Sequence, residues 1–131
     1  MTSKVTYLGD LRTASTHIQS GVQLLSDAPL DNNGKGEAFS PTDTVANALA
    51  TCMFTVMGIK AKEMGIDLEG TAEVTKFMEA EPRRIAKIQV VFKMEMEADQ
   101  KTRAILERTA MSCPVHFSLH PDLVRDITFN W

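Results

Sequence analysis

From Thr44 to Ile59 the chain carries no charged side chain, and this run lies inside a segment punctuated as a helix at both ends. Ser40 is a good N-cap, Pro41 suits the first helical position, and Asp43 stands three residues after Ser40, as in a capping box. Gly65 is a natural stop. A helix of about 24 residues, roughly 36 Å long, is expected between them. Its apolar residues form two adjoining stripes at 3.6-residue spacing, Val45, Ala48, Leu49, Cys52, Val56 and Ile59 beside Ala46, Ala50, Met53, Met57, Ala61 and Met64. The remaining face, Thr44, Asn47, Thr51, Thr55 and Gly58, is small and only mildly polar. A helix apolar nearly all round is buried on all sides or crosses a membrane. Asn47 and the threonines interrupt the run short of the roughly 18 apolar residues that a span requires, which favours burial in protein. A chain of 131 residues has little material to wrap such a rod. An obligate dimer, with the partner completing the sheath, is the expectation.

The rest of the chain is read around that helix as a single domain. Residues 5–29 alternate β-branched and aromatic positions with breaks at Gly9-Asp10 and Ser20-Gly21, the pattern of a three-stranded meander. The segment LDNNGKGEAFSP reads as a loop. After Gly65, IDLEGTAEVTKFM and RRIAKIQVVFKMEME alternate with period two on either side of EAEPRR and predict a long hairpin. A second helix starts at Asp99 and stops before Pro114, a short helical turn begins at Pro114, and VRDITFNW closes the chain as a strand. The order β-β-β-α-β-β-α-(α)-β makes the fold class α+β. A net charge of −3 and the absence of Lys/Arg runs exclude the basic surface that nucleic acid requires. MTSKVTYLGD has no apolar core or cleavage site of an export signal, so a cytoplasmic location and no membrane partner are expected.

The chemistry-bearing residues are few. There are two cysteines, too few for a disulfide scaffold. Cys52, mid-helix on an apolar stripe, reads either as a small core residue or as a nucleophile that needs a nearby cation, since a free thiol is mostly protonated at neutral pH. Arg12 could supply that charge or could be a solvated strand residue. Cys113 precedes Pro114 at a helix start, where free N–H groups favour a thiolate, and reads equally as a capping residue. His116 and His120 lie close to it in sequence. Together the three suggest at most part of a zinc site, because zinc takes three or four protein ligands, and a structural hydrogen bond is the simpler role for His116. His17 has no chemical partner nearby. Gly34 and Gly36 match neither a dinucleotide nor a P-loop spacing.

SPTDTVANALATC, with Ser40-Pro41 ahead of Cys52 in an Ala-rich helix, resembles the OsmC/Ohr family of thiol peroxidases, and CPVH at Cys113 resembles that family's second cysteine motif. The resemblance covers the element order of essentially the whole chain. It implies an OsmC-like intertwined homodimer that reduces an organic hydroperoxide. Cys52 would be the peroxidatic cysteine, Cys113 the resolving one and Arg12 the activating cation. The resulting disulfide would be reduced by a dithiol, dihydrolipoyl in the better-known members, with no metal or other cofactor.

The match departs from the peroxidase branches at one place. Where they have Asn-Pro-Glu, with the glutamate orienting the catalytic arginine, this chain has Ser40-Pro41-Thr42. Asp43, one residue on, and Glu37 in the preceding loop are the carboxylates available to replace it, although capping alone accounts for Asp43. The Gly-Gly-Arg turn of the family is represented by Gly9-Asp10-Leu11-Arg12. These differences bring the chain closer to the less characterised OsmC-like branches and leave a second reading: a non-enzymatic dimer that binds an apolar ligand or senses thiol oxidation.

Overall fold

The computed structural model describes all 131 residues and separates into two compact units, Met1–Val45 and Ala46–Trp131. In the first, β1 (Ser3–Gly9), β2 (Arg12–His17) and β3 (Gln23–Asp27) form the expected antiparallel meander. The β1–β2 turn runs through left-handed backbone at Gly9, Asp10 and Leu11, with φ of 87°, 50° and 62°. Only glycine takes that conformation without strain. Val5 pairs with Ser15 and Ser15 with Leu24, which puts Val5 and Leu24 on one sheet face, and both stay exposed, as does Tyr7. The segment read as a loop contains a 3-10 turn, Leu30–Asn32, and the backbone N–H groups of Gly34 and Gly36 donate to Pro29 and Ala28 carbonyls.

Helix α1, Pro41–Glu63, crosses from one unit into the other. Its start is a reciprocal capping box: the Asp43 N–H donates to Ser40 Oγ at 3.0 Å, and the Ser40 N–H donates to Asp43 Oδ2 at 2.8 Å. Gly65, at φ 70°, turns the chain away, while the Ile66 N–H reaches back to the Ala61 carbonyl at 2.9 Å.

The second unit is a three-stranded sheet, β4 (Gly70–Glu79), β5 (Arg84–Met94) and β6 (Val124–Asn130), with β5 central. β4 and β5 pair antiparallel as a hairpin, and β6 runs parallel to β5. A parallel neighbour needs a crossover, and α2 (Gln100–Ala110) and α3 (Pro114–Ser118) provide it. Asp99 caps α2 by accepting the Thr102 N–H at 2.7 Å. Alternate residues of β5, Ile88, Val90, Phe92 and Met94, join Ala46, Leu49, Ala50, Met53, Met57 and Ala61 of α1 and Leu106 and Ala110 of α2 in one core cluster. Phe92 meets Phe54 edge-on at 4.8 Å and stacks on Phe129 at 4.9 Å.

By length and composition alone α1 could cross a membrane. One of its faces packs into this core instead. As expected of a chain too short to wrap the rod alone, one face stays bare: within one chain, Val45, Thr51, Thr55 and Ile59 are exposed, and the stripe containing Cys52 is only half covered. The reason is supply. The sheet and α2 reach one side of the rod, and no other element of this unit covers the opposite side. The threonines there donate to their own helix, Thr55 to the Thr51 carbonyl at 2.8 Å and Thr51 to Asn47 at 3.2 Å.

Candidate active site

Two groups of functional side chains form, one in each unit. In the second unit, Cys52 projects from the middle of α1, half-buried against the core cluster, and Cys113 is fully buried as the N-cap of α3. Pro114 is the first residue of that helix, and Cys113 Sγ accepts the His116 N–H at 3.3 Å. Cys113 belongs to the core cluster and Cys52 packs against that same cluster, near enough for each thiol to feel the other electrostatically. Both thiols are free. The fold thus brings together two cysteines some sixty positions apart in sequence.

Burial pushes the Cys113 thiol above the ordinary range; the His116 N–H opposes this, and neighbouring Cys52 adds to it. Of the two readings of Cys113, the capping one is the one the structure has, and burial opposes the thiolate. The short helix offers the sulfur the N–H groups of His116 and Val115, and desolvation of the charged form outweighs both. The His116 ring differs from expectation. Its Nδ1 is buried with no hydrogen-bond partner, and burial, then the nearby Arg125 charge, hold its pKa below the usual imidazole range. The hydrogen bond that His116 makes to the site comes from its backbone. His120 is exposed and accepts the Asp122 N–H at 3.2 Å. No three His, Cys, Asp or Glu side chains converge to hold a metal ion.

In the first unit, Arg12 opens β2 immediately after the left-handed turn. Its Nε donates to Asp27 Oδ1 at 2.7 Å and its Nη2 to Asp27 Oδ2 at 2.8 Å, a bidentate pair with a buried carboxylate. Nη2 also donates to the exposed Glu37 at 2.8 Å. These carboxylates raise the Arg12 pKa further, and Arg12 in turn holds the Asp27 carboxyl below its usual range against the opposing effect of burial. Glu37, considered from the sequence, is in place on Arg12. Asp43 has one carboxylate oxygen in the capping box. Thr42 Oγ1 lies 3.1 Å from Ser40 Oγ. His17 is exposed, with Nδ1 2.7 Å from Ser20 Oγ. Asp27 was not legible as a site residue, since LLSDAP looks like an ordinary strand end. Only the register, which makes Asp27 the partner of Arg12 across β2 and β3, reveals it.

Residues 34–127 match the family profile described as OsmC-like protein. The chain belongs to the OsmC-like protein family. Glu37, Cys52 and Cys113 fall inside the matched segment, and Arg12 and Asp27 lie ahead of it. A crystal structure from Psychrobacter arcticus 273-4, named for an osmotic stress induced and detoxification response, is 51% identical, superposes with a TM-score of 0.96, and is matched over 99% of this chain and 96% of that one. Two further structures share the fold. The organic hydroperoxide resistance protein OhrB of Bacillus subtilis has a TM-score of 0.70 at 18% identity, over 99% of this OsmC-like chain and 98% of its own. The organic hydroperoxide resistance protein OsmC of Legionella pneumophila has a TM-score of 0.74 at 15% identity, over 100% and 98%. No functionally curated protein matches the sequence.

Proposed function

We propose that this OsmC-like protein reduces organic hydroperoxides with a cysteine pair, Cys52 attacking and Cys113 resolving. The observation that carries this reading is the approach of the two side chains within one unit, one half-exposed and the other fully buried. The Cys52 thiolate takes the distal oxygen of ROOH; the O–O bond breaks, and the alkoxide leaves as ROH after picking up a proton. The resulting Cys52 sulfenic acid condenses with Cys113, losing water and forming a disulfide. A dithiol such as a dihydrolipoyl group then reduces the bridge by exchange, becoming a disulfide itself. Sulfur carries every electron in this cycle, and it requires no metal or other cofactor. A Cys113 thiol that stays protonated suits the resolving role, because it does not compete for the peroxide and reacts only once a sulfenic acid stands beside it.

Arg12 is the proposed cation for Cys52, and a homodimer is the proposed assembly in the cytoplasm. Two surfaces support the dimer: the face of α1 whose threonines need no water and carry no charge, and the exposed Val5, Tyr7 and Leu24 of the first sheet. Stopped-flow consumption of cumene hydroperoxide with a dithiol tests the chemistry. Equal rates for the wild type and Cys52→Ser would sink it. Sedimentation of a single 14.5 kDa species at micromolar concentration would sink the dimer.

One observation favours the second reading, an OsmC-like dimer that binds an apolar ligand or senses thiol oxidation. Arg12 is paired with two carboxylates, so the cluster carries a net negative charge. Alkylation of Cys52 separates the two. A rate at neutral pH no faster than that of an unactivated thiol supports binding or sensing, and a faster rate supports the peroxidase.

A further inference from the structure

The Arg12 cluster uses its donors unevenly. Nε and Nη2 are spent on Asp27 and Glu37, while both N–H groups of Nη1 make no hydrogen bond within the chain. The two carboxylates also differ. Asp27 is 2% exposed, whereas the Glu37 side chain is 63% exposed. Backbone groups fix Asp27 on both sides: its own N–H donates to the Phe39 carbonyl at 3.2 Å, and the Glu37 N–H donates to Asp27 Oδ2 at 3.1 Å. The Ala28 N–H closes onto the Leu11 carbonyl at 3.1 Å, tying the end of β3 to the left-handed turn from which Arg12 emerges. A planar fork gripped along one edge by a buried carboxylate has one orientation, and the free edge points where that grip directs it. An exposed single-point contact such as Glu37 adds little order, because solvent competes for it.

We infer that Asp27 is the positioning residue for Arg12: it fixes the guanidinium so that the Nη1 edge stays clear of both carboxylates and free for another group, while Glu37 tempers the charge without setting the direction. The carboxylate that orients the arginine thus comes from β3, neither from the first turn of α1 nor from the loop before it. The inference rests on the reading of Arg12 as the cation serving Cys52.

Four variants test it, read by the alkylation rate of Cys52 at fixed pH and by kcat and KM for cumene hydroperoxide. Arg12→Gln and Asp27→Asn are each expected to slow alkylation about tenfold, the thiolate fraction lost when one unit of charge stabilisation is removed. The double variant should be no slower than Arg12→Gln alone. Glu37→Gln should move the rate the opposite way, upward, because it removes a negative charge and leaves the fork in place. Arg12→Lys keeps the charge and lacks the fork, so it should lose rate like Asp27→Asn. Because it leaves the buried Asp27 a cation to pair with, it also keeps the test alive if Asp27→Asn does not fold. Wild-type alkylation and kcat in Asp27→Asn, with only the melting temperature lowered, would reduce Asp27 to a strand clamp and overturn the inference, as would a fully active Arg12→Lys. If Arg12→Gln itself matches the wild type while Cys52→Ser is dead, the role of Arg12 is wrong and the peroxidase reading survives without it.

Discussion

Oxidising the Cys52–Cys113 pair should stabilise the protein substantially. The bridge would close a loop of roughly 60 residues, and the chain-entropy relation for a loop of that length gives a stabilisation of about 4 kcal/mol at 25 °C. For a chain of 131 residues, an unfolding entropy near 2.1 cal/mol/K per residue converts this to a rise in melting temperature on the order of 10 to 15 °C. The assay is differential scanning calorimetry of the reduced protein, of protein treated with one equivalent of cumene hydroperoxide, and of treated protein after dithiothreitol, at one protein concentration because a dimer melts by mass action. Treated protein should melt higher, dithiothreitol should restore the first value, and Cys52→Ser should show neither change. Peptide mapping should recover a Cys52–Cys113 link within one chain. Treated wild type in which both thiols still alkylate would refute the pairing. A mapped bridge with a rise below about 2 °C would refute the loop-entropy reasoning.

Three further outcomes follow from the packing and the caps. Ser40→Ala removes the hydroxyl that accepts the Asp43 N–H and should cost about 1 kcal/mol in urea unfolding, with no change in the slope. Phe92→Ala empties a fully buried position between Phe54 and Phe129 and should cost about 3 to 5 kcal/mol by the same measurement. Cys113 contributes a pH dependence whose sign follows from its raised pKa. Below about pH 8.5 both the folded and the unfolded thiol hold their proton and the contribution is complete. Above that the unfolded thiol ionises first, so stability falls as pH rises through the folded pKa. Reduced wild type should therefore lose stability above about pH 8.5 more steeply than Cys113→Ala, and equal slopes would refute the buried, protonated thiol.

What the sequence determined by itself is what neighbours along the chain decide. The ends of α1 follow from Ser40, Pro41, Asp43 and Gly65, because capping and left-handed turns involve residues a few positions apart. The strand and helix order follows from hydrophobic period, and Cys113 is recognisable as a helix start from the Cys-Pro pair. Tertiary structure decided the rest, since its causes are nonlocal. Strand register set Asp27 against Arg12, where no local pattern distinguishes that aspartate from any other strand end. The crossover through α2 and α3 made β6 parallel to β5 and brought Cys113 to Cys52. Burial then outweighed the two N–H groups at Cys113, opposing the thiolate that its place at a helix start suggests. The uncharged run of α1 said that water was not its intended neighbour. Which side the chain covers itself, and which it leaves bare, depended on how far one small sheet and one short helix can reach around it.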